Sequence, residues 1–342
     1  MSLHPELFPP IAPVAGTEPR PFWSVIVPAY KPDYLQQCLR SVMDQDPGAG
    51  AMEILVVDDA SPHALEPIVR KVGGDRIRYN RNEKNLGTYG TENAGVVMSR
   101  GIWTYILNDD DWVSPGFFRT LHQGLANLPD NVGAACCLYT NVNSAGEPIW
   151  SPPPLQPTAG VLDRLAWIGT LCVRNPLNPV AVAIKRSTYE RLGGYCLKFS
   201  YCGDWEFYQR AACHVDWYYE PTPLAVYRQH EQNESSKAFR SAMVFDEIAM
   251  AIGITHNFLP PEHRDQVTAV AREQNALYAL QTAMTFLERG DLQAALSLIQ
   301  SGVRLATTQL VADQLAALLT QPAAMQCRQA LPQFSATLKF NP

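Results

Sequence analysis

The chain has 342 residues, 46% of them hydrophobic and 18% charged, a composition that excludes intrinsic disorder and suits one large α/β domain with an appendage. Its net charge of -6 and pI near 5.7 exclude the basic face of a nucleic-acid binder. No apolar run approaches the roughly 18 to 20 residues that span a bilayer, and the N-terminus lacks a basic start followed by an apolar core, so a soluble cytoplasmic protein without a transmembrane segment is expected.

Residues 1–21 are rich in proline and read as an extended arm. Phe22 to Pro28 reads as a first strand ended by Pro28, and Leu35, Cys38, Leu39 and Val42 carry helical spacing between Tyr34 and Met43. With a strand over 54–57 this forms a βαβ unit, which is right-handed and parallel by rule. A helix over 62–71, a strand around 77–79, a helix over 91–99 and a strand over 103–107 continue the alternation of a doubly wound sheet. Beyond Leu138 the rhythm loosens, and the proline-rich piece from Pro148 to Pro157 marks a connection between two halves. Helices follow over 187–192, closed by Gly193-Gly194, and over 204–212. From Phe239 onward the chain turns helical. Segments 276–287 and 292–305 are amphipathic and joined by Arg289-Gly290-Asp291, an αα-hairpin expected to cap the preceding domain rather than form part of a repeat array. The eight cysteines include neighbours Cys136-Cys137 and no Cys-x-x-Cys pair, which favours reduced, mostly buried thiols.

Two acidic steps stand at strand ends. Ile54-Leu55-Val56-Val57 runs into Asp58-Asp59-Ala60-Ser61-Pro62, and Trp103 to Leu107 runs into Asn108-Asp109-Asp110-Asp111. Ser61-Pro62 and Ser114-Pro115 are both read as helix starts, with serine as cap and proline in the first turn. Carboxylates so crowded repel one another, and a divalent cation with oxygen ligands, Mn²⁺ or Mg²⁺, relieves the repulsion. In open α/β sheets, ligands sit outside the carboxyl ends of strands, so two such ends can face one crevice.

Val27-Pro28-Ala29-Tyr30-Lys31, Asp58-Asp59-Ala60-Ser61, Asn85-Leu86-Gly87 with Asn93, Asn108-Asp109-Asp110-Asp111, Gly203-Asp204-Trp205-Glu206 and Tyr227-Arg228-Gln229-His230 occur in that order. From Trp23 to Ser236 the chain resembles the inverting glycosyltransferases of the GT-A fold, in the large family 2 that includes bacterial polysaccharide-building enzymes. The resemblance implies a Rossmann-like, mostly parallel sheet with helices on both faces. It sets a glycosyltransferase domain over 22–238, with a nucleotide half to about 140 and an acceptor half from about 141, ahead of a helical region over 239–342.

Carried over by position, Pro28, Ala29 and Tyr30 edge the nucleotide base and Asp59 hydrogen-bonds it. Asp58 has no separable role, and capping of the next helix is the plain alternative for both carboxylates. Where the family has Asp-x-Asp-Asp this chain has Asn108 first, so the register of the Thr-Asp-Asp variant applies: Asp110 binds the metal, Asp109 contacts ribose or metal-bound water, and Asp111 orients the loop or caps the helix after it. Asp204 matches the general base, with Gly203 in place of the usual glutamate, Glu206 as runner-up, and simple helix capping as the alternative. His230 matches a third metal ligand or a diphosphate contact, in a loop where Arg228, Asn233 and Ser235 favour phosphate. Glu92 stands where relatives carry Arg or Lys ahead of Asn93, and Trp112 and Trp205 flank the acidic motifs as stacking or core residues.

The expected activity is metal-dependent transfer of a sugar, with inversion, from a nucleotide diphosphate sugar, UDP-linked by preference, to a hydroxyl of a glycan or lipid-linked acceptor in cell-surface polysaccharide or glycolipid synthesis. Peripheral contact at the inner face of the membrane stays open for such acceptors. The alternative is a non-catalytic nucleotide-sugar binder of the same fold.

Overall fold

The computed structural model describes residues 7–230, 242–306 and 308–325. Contacts divide the chain into two compact units, residues 1–168 with 176–230, and residues 169–175 with 231–342.

In the first unit the elements are β1 (Trp23–Ala29), α1 (Leu35–Met43), β2 (Met52–Asp58), α2 (Glu66–Gly73), β3 (Ile77–Arg81), α3 (Gly87–Met98), β4 (Trp103–Ile106), β5 (Trp112–Val113), α4 (Phe117–Leu125), β6 (Val132–Val142), β7 (Pro148–Trp150) and β8 (Gly160–Val161). After α5 (Arg164–Val173), which runs across the boundary of the two units in sequence, come β9 (Val182–Lys185), α6 (Arg186–Leu192), α7 (Gly203–Ala212) and β10 (Asp216–Arg228). The order β3-β2-β1-β4-β9-β6-β10-β5 makes one sheet, with β7 beside β6 and β8 beside β10. Strands β3, β2, β1 and β4 are parallel, as the βαβ reading requires. Beyond β4 the sheet is mixed, because β9 runs antiparallel to both β4 and β6 while β6 and β10 are parallel.

The continuous apolar runs of β1, β2 and β4 are buried on both faces, the signature of a parallel sheet covered by helices. Leu35, Cys38, Leu39 and Val42 bring one stripe of α1 into the same core as Phe117, Phe118 and Leu121 of α4. Pro28 does not end β1. It lies opposite Val57, and Ala29 extends the strand by accepting from the Asp59 N–H at 2.9 Å, because a proline removes one donor and leaves its neighbours' acceptors in place.

Both Ser-Pro helix starts are misplaced. The α2 helix begins at Glu66, since the Ser61 hydroxyl donates to Tyr30 O (2.6 Å) and accepts from His63 N (3.1 Å) within a turn. Ser114 N donates to Leu224 O (2.8 Å) beside β5, and α4 starts behind Gly116. The arm is not free of the fold either. Phe8 and Ile11 are buried, and Arg186 Nη2 donates to Ala12 O at 3.2 Å.

Helix α7 is anchored by a buried ion pair. Arg210 and Glu206 have fully buried side chains, Nε donating to Oε1 at 2.7 Å and Nη2 to Oε2 at 3.0 Å. The guanidinium also donates to Leu192 O and Gly194 O, and lies 4.0 Å from the Phe8 ring centroid.

The second unit holds α8 (Met243–His256), α9 (Arg264–Glu288), α10 (Leu292–Leu305) and α11 (Gln309–Thr320). Gly290 takes φ +76° between α9 and α10, and Asp291 caps α10 by accepting from Ala294 N at 3.3 Å, so the expected hairpin turn is present. Ala276, Ala279 and Ala283 of α9 and Ala294 and Ala295 of α10 are buried, small residues that let two helices approach closely. Among the described residues no helix is long and apolar enough to cross a membrane, and the seven cysteines are free, six of them buried.

Arg210→Met strands the Glu206 charge in the core, where breaking one side of a buried pair costs about 3–5 kcal/mol. Urea unfolding is expected to show that loss, and a fall below about 1 kcal/mol counts against the pair as an anchor.

Candidate functional site

The carboxyl ends of β1, β2 and β4 place the acidic motifs side by side, and the hydrogen bonds sort the carboxylates. Asp58 is fully buried and accepts from Ser61 N (2.7 Å), Arg81 Nη1 (2.7 Å) and the Tyr79 hydroxyl, which burial and this carboxylate push up to about 12. It is a structural post, not a ligand group. Asp59 accepts from Leu86 N (2.7 Å), Gly87 N (3.0 Å) and Asn82 Nδ2 (3.0 Å), so it fixes the Asn85-Leu86-Gly87 loop with three of about four lone-pair sites. Between them and Ser61, Ala60 takes φ +53°, a left-handed conformation costing roughly 1–2 kcal/mol that these bonds hold in place. Tyr30 is 43% exposed at the end of β1, where its ring is free to meet a flat ligand; Pro28 and Ala29 precede it in the strand.

In the β4 loop, Asp109 Oδ2 accepts from Tyr30 N (2.7 Å) and Lys31 N (2.9 Å), tying the loop to the end of β1. Burial pushes its carboxyl up to about 6 against the opposing pull of those two N–H groups. Asp111 is buried, with Oδ1 accepting from Arg228 N at 2.8 Å and Oδ2 left without a hydrogen bond. Burial, with Asp110 next in weight, raises it well above the usual carboxylate range. Asp110 is different: its side chain is 28% exposed, and Oδ2 lies 3.1 Å from His230 Nε2. The loop thus presents one carboxylate outward, with the His230 imidazole beside it from the end of β10.

Arg228 does not face a phosphate. Its buried guanidinium donates to Asp110 O (3.0 Å), Ser144 O (2.7 Å) and Gln37 Oε1 (2.6 Å), between the Tyr34 ring at 3.9 Å and the Trp112 ring at 4.7 Å. Trp112 is therefore engaged by a guanidinium, and Trp205 is buried. Asn93 turns its amide to the main chain of Tyr195, donating to O at 2.9 Å and accepting from N at 2.8 Å. Asn233 and Ser235 lie outside the described residues.

Asp204 sits inside the first turn of α7, behind Cys202 at the cap position, so it does not cap the helix; it is half-buried and faces Tyr89. The Tyr89 hydroxyl donates to Tyr201 O (2.5 Å), accepts from Gly203 N (2.8 Å), and lies 3.3 Å from Asp204 Oδ1. Gly203 is glycine for a steric reason, since a Cβ there would lie 2.6 Å from Cε2 of Tyr89. Glu206 has both oxygens on Arg210 and is unavailable as a base. Sequence reasoning missed Tyr89, Gln37 and Tyr34. Tyr89, Glu92 and Asn93 share one face of α3 at helical spacing and are all buried, an uncommon polar stripe that was available as a signal.

Among the described residues no three His, Cys, Asp or Glu side chains gather as a metal site. A hard divalent cation that binds with a substrate diphosphate takes one or two protein ligands and completes its shell with phosphate and water. Asp110 and His230 supply such a pair, both donor types that such a cation accepts, so the residues fit Mn²⁺ or Mg²⁺.

The fold is that of GT-A glycosyltransferases. The chain superposes on S. aureus TarS 1-349 in complex with UDP-GlcNAc with a TM-score of 0.65 at 18% identity, covering 90% of this chain and 92% of that one. The mannosyltransferase PcManGT from Pyrobaculum calidifontis, in complex with GDP-Man and Mn²⁺, gives a TM-score of 0.56 at 17% identity, covering 94% and 87%. Residues 24–160 match the model of Glycosyl transferase family 2. Among curated proteins, the chain is 32% identical over 97 residues to the succinoglycan biosynthesis protein ExoO of Rhizobium meliloti, 28% of this chain and 27% of that protein. It is 29% identical over 140 residues to the uncharacterized glycosyltransferase EpsJ of Bacillus subtilis, 40% of this chain and 39% of that one. These alignments span well under half of each relative. Residues 24–160 thus carry a family 2 glycosyltransferase match, and the fold is that of the GT-A glycosyltransferases.

Tyr89→Phe removes the acceptor of the buried Gly203 N–H at the start of α7, and is expected to cost about 1–3 kcal/mol in urea unfolding. A change below about 0.5 kcal/mol would falsify the role of that hydroxyl in fixing the turn that carries Asp204.

Proposed function

We propose that this protein transfers a sugar, with inversion, from a UDP-linked donor to a hydroxyl of a glycan or lipid-linked acceptor, in cell-surface polysaccharide or glycolipid synthesis. The observation that carries the reading is the partly exposed Asp110–His230 pair at 3.1 Å, the one acidic position in its loop that neighbouring backbone does not consume. Tyr30 at the end of β1 and the last lone-pair site of Asp59 suit a nucleobase; Asp109, held by two backbone amides, reaches the same edge of the sheet.

Asp110 and His230 would hold Mn²⁺ or Mg²⁺, which when bound supplies positive charge against the leaving diphosphate. The rest of the chemistry belongs to Asp204. Its carboxylate takes the proton of the acceptor hydroxyl as that oxygen bonds to the anomeric carbon and the bond to the diphosphate breaks. The first turn of α7 favours the ionised form of Asp204, because helix N-termini stabilise negative charge.

Incubation with Mn²⁺ and a panel of uridine and guanosine diphosphate sugars, read as free nucleoside diphosphate, tests the reading; no release from any donor leaves a nucleotide-sugar binder. Asp110→Asn is expected to abolish Mn²⁺-dependent release with the melting temperature kept, and Asn108→Ala to cost far less. Equal losses would reverse the assignment of the loop. Asp204→Asn is expected to leave calorimetric donor affinity within about threefold and to cut transfer by roughly 10² or more, whereas lost donor binding would mark Asp204 as structural.

A further inference from the structure

Beside Asp204 lies a small, largely enclosed space lined by Glu92 of α3, Thr104 and Ile106 of β4, Val182 and Ile184 of β9, Tyr189 of α6, Tyr195, and Asp204 and Tyr208 of α7. Its volume of about 10 Å³ matches one water molecule. Two polar groups in it are unusual. The Thr104 hydroxyl is buried without a hydrogen bond, and Glu92 is 4% exposed in a wall whose other side chains, Thr104 and Asp204 apart, are aromatic or aliphatic. A water there would satisfy the Thr104 oxygen and reach both carboxyl groups, since a buried water takes about three partners.

Two carboxyl groups sharing one desolvated space cannot both be ionised cheaply, and the proton stays on the more buried of the two. That one is Glu92. Burial, with the Asp204 charge next, raises Glu92 well above the usual carboxylate range. Among the described residues the groups facing it are Asp204, the hydroxyls of Tyr89, Tyr189, Tyr195 and Tyr208, and Thr104. Burial raises all four of those phenols, so they hold their protons wherever Asp204 works.

We propose that Glu92 is a positioning residue for the base: it stays a neutral carboxylic acid and donates, through one water also held by Thr104, to the Asp204 carboxylate. The donated hydrogen bond turns that carboxylate's other lone pairs toward the acceptor and keeps it ionised. When Asp204 takes the acceptor's proton the pair holds two protons, and one returns to solvent after the product leaves. The inference rests on the reading of Asp204 as the base.

The test uses the full chain with Mn²⁺ and the nucleotide sugar selected by the panel, with water as acceptor and release of nucleoside diphosphate as the readout. Wild type is expected to give a bell-shaped kcat profile, rising as Asp204 ionises and falling at alkaline pH as Glu92 loses its proton. Glu92→Gln keeps a neutral donor of the same shape, so kcat stays within roughly threefold and the alkaline limb disappears. Glu92→Ala loses roughly tenfold or more in kcat with donor KM unchanged. The infrared spectrum at neutral pH should contain a protonated-carboxyl band that Glu92→Gln lacks, a readout independent of turnover. An unchanged alkaline limb in Glu92→Gln, a loss in Glu92→Gln equal to that in Glu92→Ala, or no such band each overturns the proposal. Full activity in Asp204→Asn is a separate result and removes the base itself.

Discussion

The buried guanidinium of Arg228 is the constraint on which the acidic loop depends. A charge removed from water is tolerated only when its donors are all met, and Arg228 meets them on the carbonyls of Asp110 and Ser144 and on Gln37 while two aromatic rings cover its faces. Its own N–H holds Asp111. From the opposite side Asp109 grips the backbone at Tyr30 and Lys31. A run of three carboxylates, which left to itself would splay apart, is thus pinned at both ends, and its middle member is the one presented outward.

The same division of labour recurs across the site. Asp58, Asp59 and Glu206 each spend most or all of their acceptor capacity on backbone amides or a guanidinium, and so act as fasteners. Asp110 keeps a partly exposed carboxylate at the edge of the sheet. Acidic residues that look alike in a motif therefore differ by what their neighbours have already claimed, and that, more than position, separates scaffold from chemistry.

Periodicity made the parallel half legible, because strands buried on both faces must be apolar throughout and the intervening helices must carry a stripe. The αα-hairpin was legible from Arg289-Gly290-Asp291 for a similar reason: one glycine and one cap residue determine the turn. Ser61-Pro62 and Ser114-Pro115 misled, since a serine that finds a tertiary partner, Tyr30 O in one case and Leu224 O for the backbone of the other, no longer starts a helix. The antiparallel β9 was hidden because orientation within a sheet leaves no mark on a four-residue apolar run. Arg228 was read as favouring phosphate because polar residues in functional motifs invite that reading; burial, which decides otherwise, is a property of the assembled fold.

The contact between Tyr89 and Gly203 also limits how this protein can change. A side chain at position 203 has no room while the phenol stays, and the phenol cannot leave without orphaning the amide that starts α7. Single substitutions at either position lead downhill, so the two are linked as a unit of inheritance: an ancestor or engineered descendant with a larger residue at 203 must have altered 89 as well. Routes between this chain and a relative bearing glutamate there pass through paired replacements, and a library that varies one position at a time would not find them.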